Sequence, residues 1–439
     1  MKTVGRVVRF ATPKSRRLID MACRGLVTDA YRNVPLFRQR LDAAGVLPSS
    51  IRTAADLASI PVTTSETYLG SARSESLRRG TDRASCRTSQ TSGTTGMPLT
   101  IYMSRSEAFY RRVLLFRALT RSGRFSFPLT IAEVGAGLIR LGTHRGDFTQ
   151  RIGLVRVTKI ARSLPVEEQA RRLLQAAPQV VMGHPSCLEL VAEVLQASGG
   201  VADHRPRLVV ARGEILRPST RRLLRATFGC PVADHYNCEE VGNVAWECPR
   251  TPGVMHVNTD GCVVETVDAE GRALDPGEEG SVVVTNLFNR TMPFIRYRLD
   301  DRAALLPRGR CACGHDGASM SLLAGRTGDF LLLSSGRRVS PRTVNSLVVQ
   351  AGQRDDDIEV SDVRRYQVEQ DPAGRVNILV VPREPHAADL GERITGALRG
   401  LDPGLDVSVE YMSEIPPEAS GKLRIVRSVA QSRTESPYG

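Results

Sequence analysis

The chain has very little lysine. Of 60 basic residues in a 439-residue sequence, only Lys2, Lys14, Lys159 and Lys422 are lysines. Arginine is the default cation here, so a position that keeps lysine asks for a compact ammonium that a planar guanidinium does not replace. Long apolar runs are also missing. No stretch of eighteen apolar residues occurs, which excludes an ordinary membrane-spanning helix. The segment Met1 to Phe10 has no continuous apolar core and no small-residue cleavage site. A signal peptide is therefore not expected, and a cytoplasmic location is. Nine cysteines is an odd number, and without an export signal disulfides are not expected. The net charge is +13, but the basic residues occur as scattered pairs such as Arg16-Arg17, Arg78-Arg79, Arg111-Arg112 and Arg221-Arg222. No basic segment is interleaved with aromatics, which argues against a nucleic-acid partner. Anionic small molecules account for part of the charge.

A chain of this length exceeds one ordinary core, so two or more domains are expected. Residues 15–45 and 104–121 read as helix. Strand-like Leu129–Val134, Val180–Met182 and Arg207–Ala211 alternate with helical 166–176 and 186–197. That alternation implies an α/β sheet with ligands at the loops past the strand ends. From about residue 257 the pattern becomes short strands and turns, a β-rich subdomain. After Gly325 a smaller α+β unit is expected, with strands near 360–370, 376–381 and 405–410 and a helix over 387–399.

The densest chemical signal is Thr91-Ser92-Gly93-Thr94-Thr95-Gly96-Met97-Pro98. Glycines let backbone N–H groups converge on an anion, and hydroxyls add neutral donors. It is not a Gly-x-x-x-x-Gly-Lys loop, because no lysine follows the second glycine. The stretch resembles the phosphate loop of the adenylate-forming superfamily of acyl-CoA ligases and adenylation domains. Further segments are similar to the phenylacetate–CoA ligase-like branch, in that family's order. They are Tyr31–Arg38, Asp56–Thr64, Asp234–Gly242, Arg296–Asp301, Gly325–Asp329 and Gly421-Lys422.

The resemblance implies a large α/β adenylation domain over 1–327 and a small mobile α+β domain over 328–439 that carries the catalytic lysine. It implies ATP, Mg²⁺ and CoA as ligands, and a compact, for example aromatic, carboxylic acid as substrate. Thr91, Ser92, Gly93, Thr94, Thr95 and Gly96 would cradle phosphate. Gly213, Glu214 and Ile215 would line the adenine pocket. Tyr236 would stack on adenine, within a motif that begins at Asp234 and includes Asn237. Glu240 would hold Mg²⁺, Asp301 would accept the ribose hydroxyls, Arg326 would mark the hinge, and Lys422 would enter the site for adenylation. This chain departs from the pattern at Met97, where relatives have Lys, at Asn237, where they have Gly, and at Glu239, where they have Ser or Thr. Glu239 sharing the metal is left open. So is the acceptor, since an amine or a carrier protein in a secondary-metabolite pathway would suit the same first half-reaction. His235 is open between substrate contact and core. A homodimer is allowed.

Cys311-Ala-Cys313-Gly-His315 lies in a turn-rich stretch suited to wrapping a metal. Cys248 and His256 precede it in the chain. The resemblance implies a structural zinc near this point, held by Cys248, His256, Cys311 and Cys313 as a soft tetrahedral set, with His315 as the alternative to His256.

Overall fold

The structure is a computed structural model that describes residues 16–428 except 73, 92–98, 137–152, 202–204, 308, 310, 327–329, 340, 355–356, 384–385 and 417–424. For residues 136, 300, 323–326, 338, 341–342, 345–346, 354 and 357–361 it describes the backbone alone. The chain divides into two compact units. The first comprises Met1–Leu216, Arg221–Leu299 and Ala303–Leu322; the second comprises Arg217–Thr220, Asp300–Arg302 and Leu323–Gly439.

In the first unit, helices α1 (Arg16–Asn33), α2 (Pro35–Ala43) and α3 (Ser65–Leu69) precede a hairpin of β1 (Arg87–Gln90) and β2 (Thr100–Met103). The stretch expected to be helical over 15–45 breaks at Val34, because Pro35 has no N–H to give and starts the next helix. Then come α4 (Arg105–Ser122), β3 (Leu129–Ala136), β4 (Val155–Ala161), α5 (Val166–Ala176), β5 (Val180–Gly183), α6 (Pro185–Ala197), β6 (Leu208–Arg212), α7 (Pro218–Phe228) and β7 (Val232–Cys238). Strands β8 (Gly242–Glu247), β9 (Val254–Val257), β10 (Cys262–Val267), β11 (Glu279–Asn286), β12 (Tyr297–Leu305) and β13 (Ser319–Arg326) follow.

One eleven-stranded sheet joins them in the order β10-β11-β12-β13-β9-β8-β7-β6-β5-β3-β4. The β-rich stretch after 257 thus continues the sheet that the βα units begin. Pairing is parallel from β4 through β7 and antiparallel from β7 to β8 to β9. The parallel strands read Val-Val-Met-Gly and Leu-Val-Val-Ala-Arg because both faces are covered. On one face Val181, Val209 and Ala211 pack with Leu188, Val191 and Leu195, spaced three or four apart on α6. On the other, Val180, Met182, Leu208 and Val210 pack with Leu119 of α4. Fully burying one such side chain contributes about 1.5–3 kcal/mol, so these strands are held by packing on both sides. No helix among the described residues is long and apolar enough to cross a membrane.

The second unit has hairpins of β14 (Leu331–Leu332) with β15 (Arg338–Val339), and β16 (Gln353–Arg354) with β17 (Asp357–Ser361). Its main sheet has the order β20-β19-β18-β21, made of β18 (Val363–Gln370), β19 (Val376–Pro382), β20 (Val407–Tyr411) and β21 (Val426–Ser428). Val344 and Val348 of α8 (Pro341–Ala351) and Ile394 and Leu398 of α9 (Leu390–Arg399) share its core with Val368, Ile378 and Val380.

Candidate active site and metal centre

Strands β3, β5, β6 and β7 end at one edge of the sheet, where loops can meet a ligand. Gly213, just past β6, has φ +79°, and a Cβ there would lie 3.5 Å from the His184 ring. That distance is an ordinary contact, so it is the left-handed backbone, not lack of space, that favours glycine here. Glu214 accepts from the backbone and hydroxyl of Ser186, both at 3.0 Å, and lies 3.3 Å from His184 Nδ1. Burial opposes its charge, but the His184 and Ser186 hydrogen bonds outweigh it and hold the carboxyl below its ordinary pKa. Glu214 therefore braces the start of α6; Ile215 is half-buried.

Register places Ala211 opposite Asp234 and Arg212 opposite His235, so Gly213 and Tyr236 each follow the last pair of the β6–β7 ladder. Tyr236 is half-buried against the core under β8. Burial and the neighbouring charge of Glu247 push the Asp234 carboxyl up to about 7. Glu247 accepts from the Asp234 N–H at 3.1 Å and pairs with Arg221 at 2.8 Å. The Asn237 amide lies 3.3 Å from Asn243 Nδ2. His235 is buried between the Ser122 hydroxyl at 3.1 Å and Asn243 at 3.3 Å. Burial, then Arg212, pulls its pKa down to about 3. Of its two readings, the structure supports the core one.

The two adjacent acids in the β7–β8 turn differ sharply. Glu240 is buried, and burial pushes its pKa up, partly offset by the Tyr297 hydroxyl and aggravated by Glu239. Its backbone carbonyl accepts from Asn286. A buried carboxyl whose charge is opposed by burial is a group that a cation would stabilise. Glu239 is one-third exposed and pairs with Arg111 at 2.9 Å. Nothing in the motif itself signalled Arg111, which lies on α4, 128 residues away in the chain.

Thr91 closes the β1–β2 hairpin: its N–H donates to Leu99 O at 3.1 Å, and its hydroxyl accepts from Leu99 N at 2.9 Å. Ser92, Gly93, Thr94, Thr95 and Gly96, the rest of the candidate cradle, lie outside the described residues, as do Gly328, Asp329 and Lys422. Arg326 ends β13, where only the backbone is described. Asp301 is half-buried on β12, in a segment that groups with the second unit.

The ligand atoms of Cys248, His256, Cys311 and Cys313 all lie within 4.8 Å of one another. Cys248 follows β8, His256 sits on β9, and the other two lie in the loop before β13. Cys248 Sγ is 3.6 Å from Cys311 Sγ, and His256 Nε2 is 3.2 Å from Cys313 Sγ. Sulfur and nitrogen ligands about 2.0–2.3 Å from a tetrahedral ion stand about 3.3–3.8 Å apart, so the set is close to metal-binding dimensions. His256 Nδ1 lies 2.9 Å from the Ser319 hydroxyl, which orients the ring. Burial, then His315, lowers the His256 pKa to about 4, so the ring is neutral as a ligand must be. His315 instead lies tilted against His256, with ring centroids 4.2 Å apart, and meets the edge of Trp246 at 5.5 Å.

No protein-family model matches the chain. It is 28% identical over 328 residues to the phenylacetate-coenzyme A ligase of Escherichia coli (strain K12), covering 73% of each chain. With the phenylacetate-coenzyme A ligase of Thermus thermophilus identity is 27% over 342 residues, 76% of this chain and 75% of the relative. Among solved structures, 2-hydroxyisobutyryl-CoA ligase in the postadenylation state with R3-HIB-AMP superposes with a TM-score of 0.75 at 16% identity, covering 94% of this chain and 89% of that one. A benzoate CoA ligase from Burkholderia xenovorans LB400 gives 0.56 at 19% identity, covering 79% and 69%. The chain has the fold of the adenylate-forming acyl-CoA ligases and is a relative of the phenylacetate-coenzyme A ligases.

Proposed function

We propose that this chain is an ATP-dependent, AMP-forming acid–CoA ligase for a compact, for example aromatic, carboxylic acid. The observation that carries the reading is its similarity to the phenylacetate-coenzyme A ligases over nearly three-quarters of its length. The acid's carboxylate attacks the α-phosphorus of ATP, giving acyl-AMP and releasing pyrophosphate. The thiol of CoA then attacks the acyl carbon and releases AMP. Catalysis of such a step is mostly positioning and electrostatics.

In this reading Thr91 to Gly96 cradle the phosphates, and the 213–215 backbone and Tyr236 hold adenine. Asp301 accepts the ribose hydroxyls, since one carboxylate can take two O–H donors. Glu240 holds Mg²⁺, which supplies charge neutralisation on the phosphates. Lys422 stabilises charge moving onto pyrophosphate, and the division at 327/328, with Arg326 beside it, lets the C-terminal domain serve both half-reactions. The cysteine–histidine cluster holds a structural zinc away from this chemistry. Location in the cytoplasm and a homodimeric state belong to the same reading.

The test is pyrophosphate exchange into ATP across a panel of carboxylic acids, followed by CoA. Acid-dependent exchange without CoA, then AMP and acyl-CoA once it is added, is the expected result. Exchange that yields product only with an amine or a carrier protein would move the acceptor to one of those. ADP and phosphate in place of AMP and pyrophosphate would reject the reading.

A further inference from the structure

Glu239 presents a physical problem. It precedes the candidate Mg²⁺ ligand directly and stands where the resemblance expects a hydroxyl. A carboxylate there would repel the phosphates of a bound nucleotide. The structure holds its answer on α4. Glu107, Arg111, Leu114 and Ala118 recur at helical spacing, and α4 packs on β8 with Leu114 and Ala118 buried. Ser104 and Glu107 form a capping box, and Glu107 also accepts from the backbone of Arg290 at 2.8 Å and of Thr291 at 3.1 Å. The helix is thereby fixed at its start, one turn before Arg111.

From this anchored face Arg111 reaches the β7–β8 turn twice. Nη1 donates to the Glu239 carbonyl at 2.9 Å, and Nη2 donates to the Glu239 carboxylate at 2.9 Å. Its stem crosses Gly242, where φ is +91° and a Cβ would come within 2.8 Å of Arg111 Cγ and Nε. Glycine at 242 thus keeps the passage that lets the guanidinium reach Glu239.

We propose that Arg111 is a built-in counter-ion of the nucleotide site, which holds the Glu239 carboxylate paired so that the phosphates of ATP meet a locally neutral turn. This rests on the acid–CoA ligase reading, and it makes Arg111 a positioning residue acting through Glu239. It explains how the chain carries an acid at this position while also lacking the lysine that Met97 replaces.

The experiment is equilibrium binding of MgATP and of adenosine to the full chain, without acid substrate, for wild type, R111M, E239Q, E239S and R111M/E239S. R111M should raise the Kd for MgATP at least tenfold and leave adenosine within twofold, because adenosine has no phosphates. The double variant should return MgATP to within threefold of wild type, an interaction that independent sites would not show. E239Q alone should bind MgATP at least as tightly as wild type. It retains the contact to the 239 carbonyl and keeps the proposal testable should R111M fail to fold. Additive losses in the double variant, parallel loss of adenosine, or a tenfold weakening in E239Q would each overturn the counter-ion; the last would make Glu239 a metal ligand. A wild type that binds MgATP but shows no acid-dependent pyrophosphate exchange would instead count against the ligase reading.

Discussion

In the parallel half of the eleven-stranded sheet, apolar side chains fill both faces of β5 and β6, and the polar groups Glu214, Asp234 and Glu239 lie towards one edge. In the antiparallel half, the cysteines and His256 sit where β8, β9 and the loop before β13 meet. At the parallel edge each polar group has one or two partners: Glu214 has His184 and Ser186, Asp234 lies beside Glu247, and Glu239 pairs with Arg111. At the antiparallel junction four ligand atoms converge from three separate segments. The difference separates two jobs. A strand-end edge can change occupants without disturbing the packing behind it. A cluster that joins three segments is part of what holds them in place. Substitutions at the nucleotide site should cost rate or affinity with little loss of stability, and substitutions at the cluster the reverse.

The largest effect is expected at Lys422. Lys422→Ala should slow pyrophosphate exchange about a hundredfold to a thousandfold, from a lost cation at developing charge worth about 3–4 kcal/mol. The melting temperature should not move. Exchange at the wild-type rate would remove Lys422 from catalysis. Asp301→Ala should raise the Michaelis constant for ATP by about tenfold or more, since two hydrogen bonds to a charged acceptor are lost. Steady-state kinetics with ATP varied would settle it, and an unchanged constant would take the ribose role away.

At the cluster, purified protein should contain about one zinc per chain. Cys311→Ser or Cys313→Ser should lose it and lower the melting temperature by about 5 °C or more. The single tryptophan, Trp246, lies beside His256 and His315, so its fluorescence should report chelation directly. Half-buried Cys86 is the proper control. Cys23 would be a poor one, because it is fully buried and a serine hydroxyl there would be stranded in the core. A metal-free protein that melts at the same temperature would collapse the contrast between the two halves.

The smallest effect concerns pH. The His235 ring has its pKa pulled down to about 3 from an ordinary 6.5, so between those values the unfolded chain binds more protons than the folded one. The stability from the neutral ring is complete above about pH 6.5 and is lost as pH falls toward about 3. Urea midpoints measured across that window should fall less steeply in His235→Gln. Identical slopes would mean the ring is not held neutral.

Much of the fold could be read in the sequence because its signals are local. Short β-branched runs alternating with amphipathic stretches point to strands at 180–182 and 207–211 and helices at 166–176 and 186–197, and the structure has them at 180–183, 208–212, 166–176 and 185–197. Pro35 could have warned that one helix was really two. That the β-rich stretch joins the same sheet was not legible, because strand order is set by pairings between distant segments. The motif around 236 marks the turn that carries the two acids, but it does not separate Glu239 from Glu240. The fold separates them by burying one against Tyr297 and pairing the other with Arg111.

The sequence by itself determined the periodicities, the scarcity of lysine that makes Lys422 conspicuous, the hydroxyl- and glycine-rich stretch from 91, and a set of cysteines and histidines able to bind a soft metal. The tertiary structure decided which histidine joins the cysteines: His256 Nε2 faces Cys313, and His315 packs tilted against the His256 ring. It also decided that His235 is core and that Arg111 belongs to Glu239. The physical reason is range. Propensity and spacing act over one or two turns of chain, whereas ion pairs, ligand clusters and burial depend on which distant segments the packed sheet brings within a few ångströms.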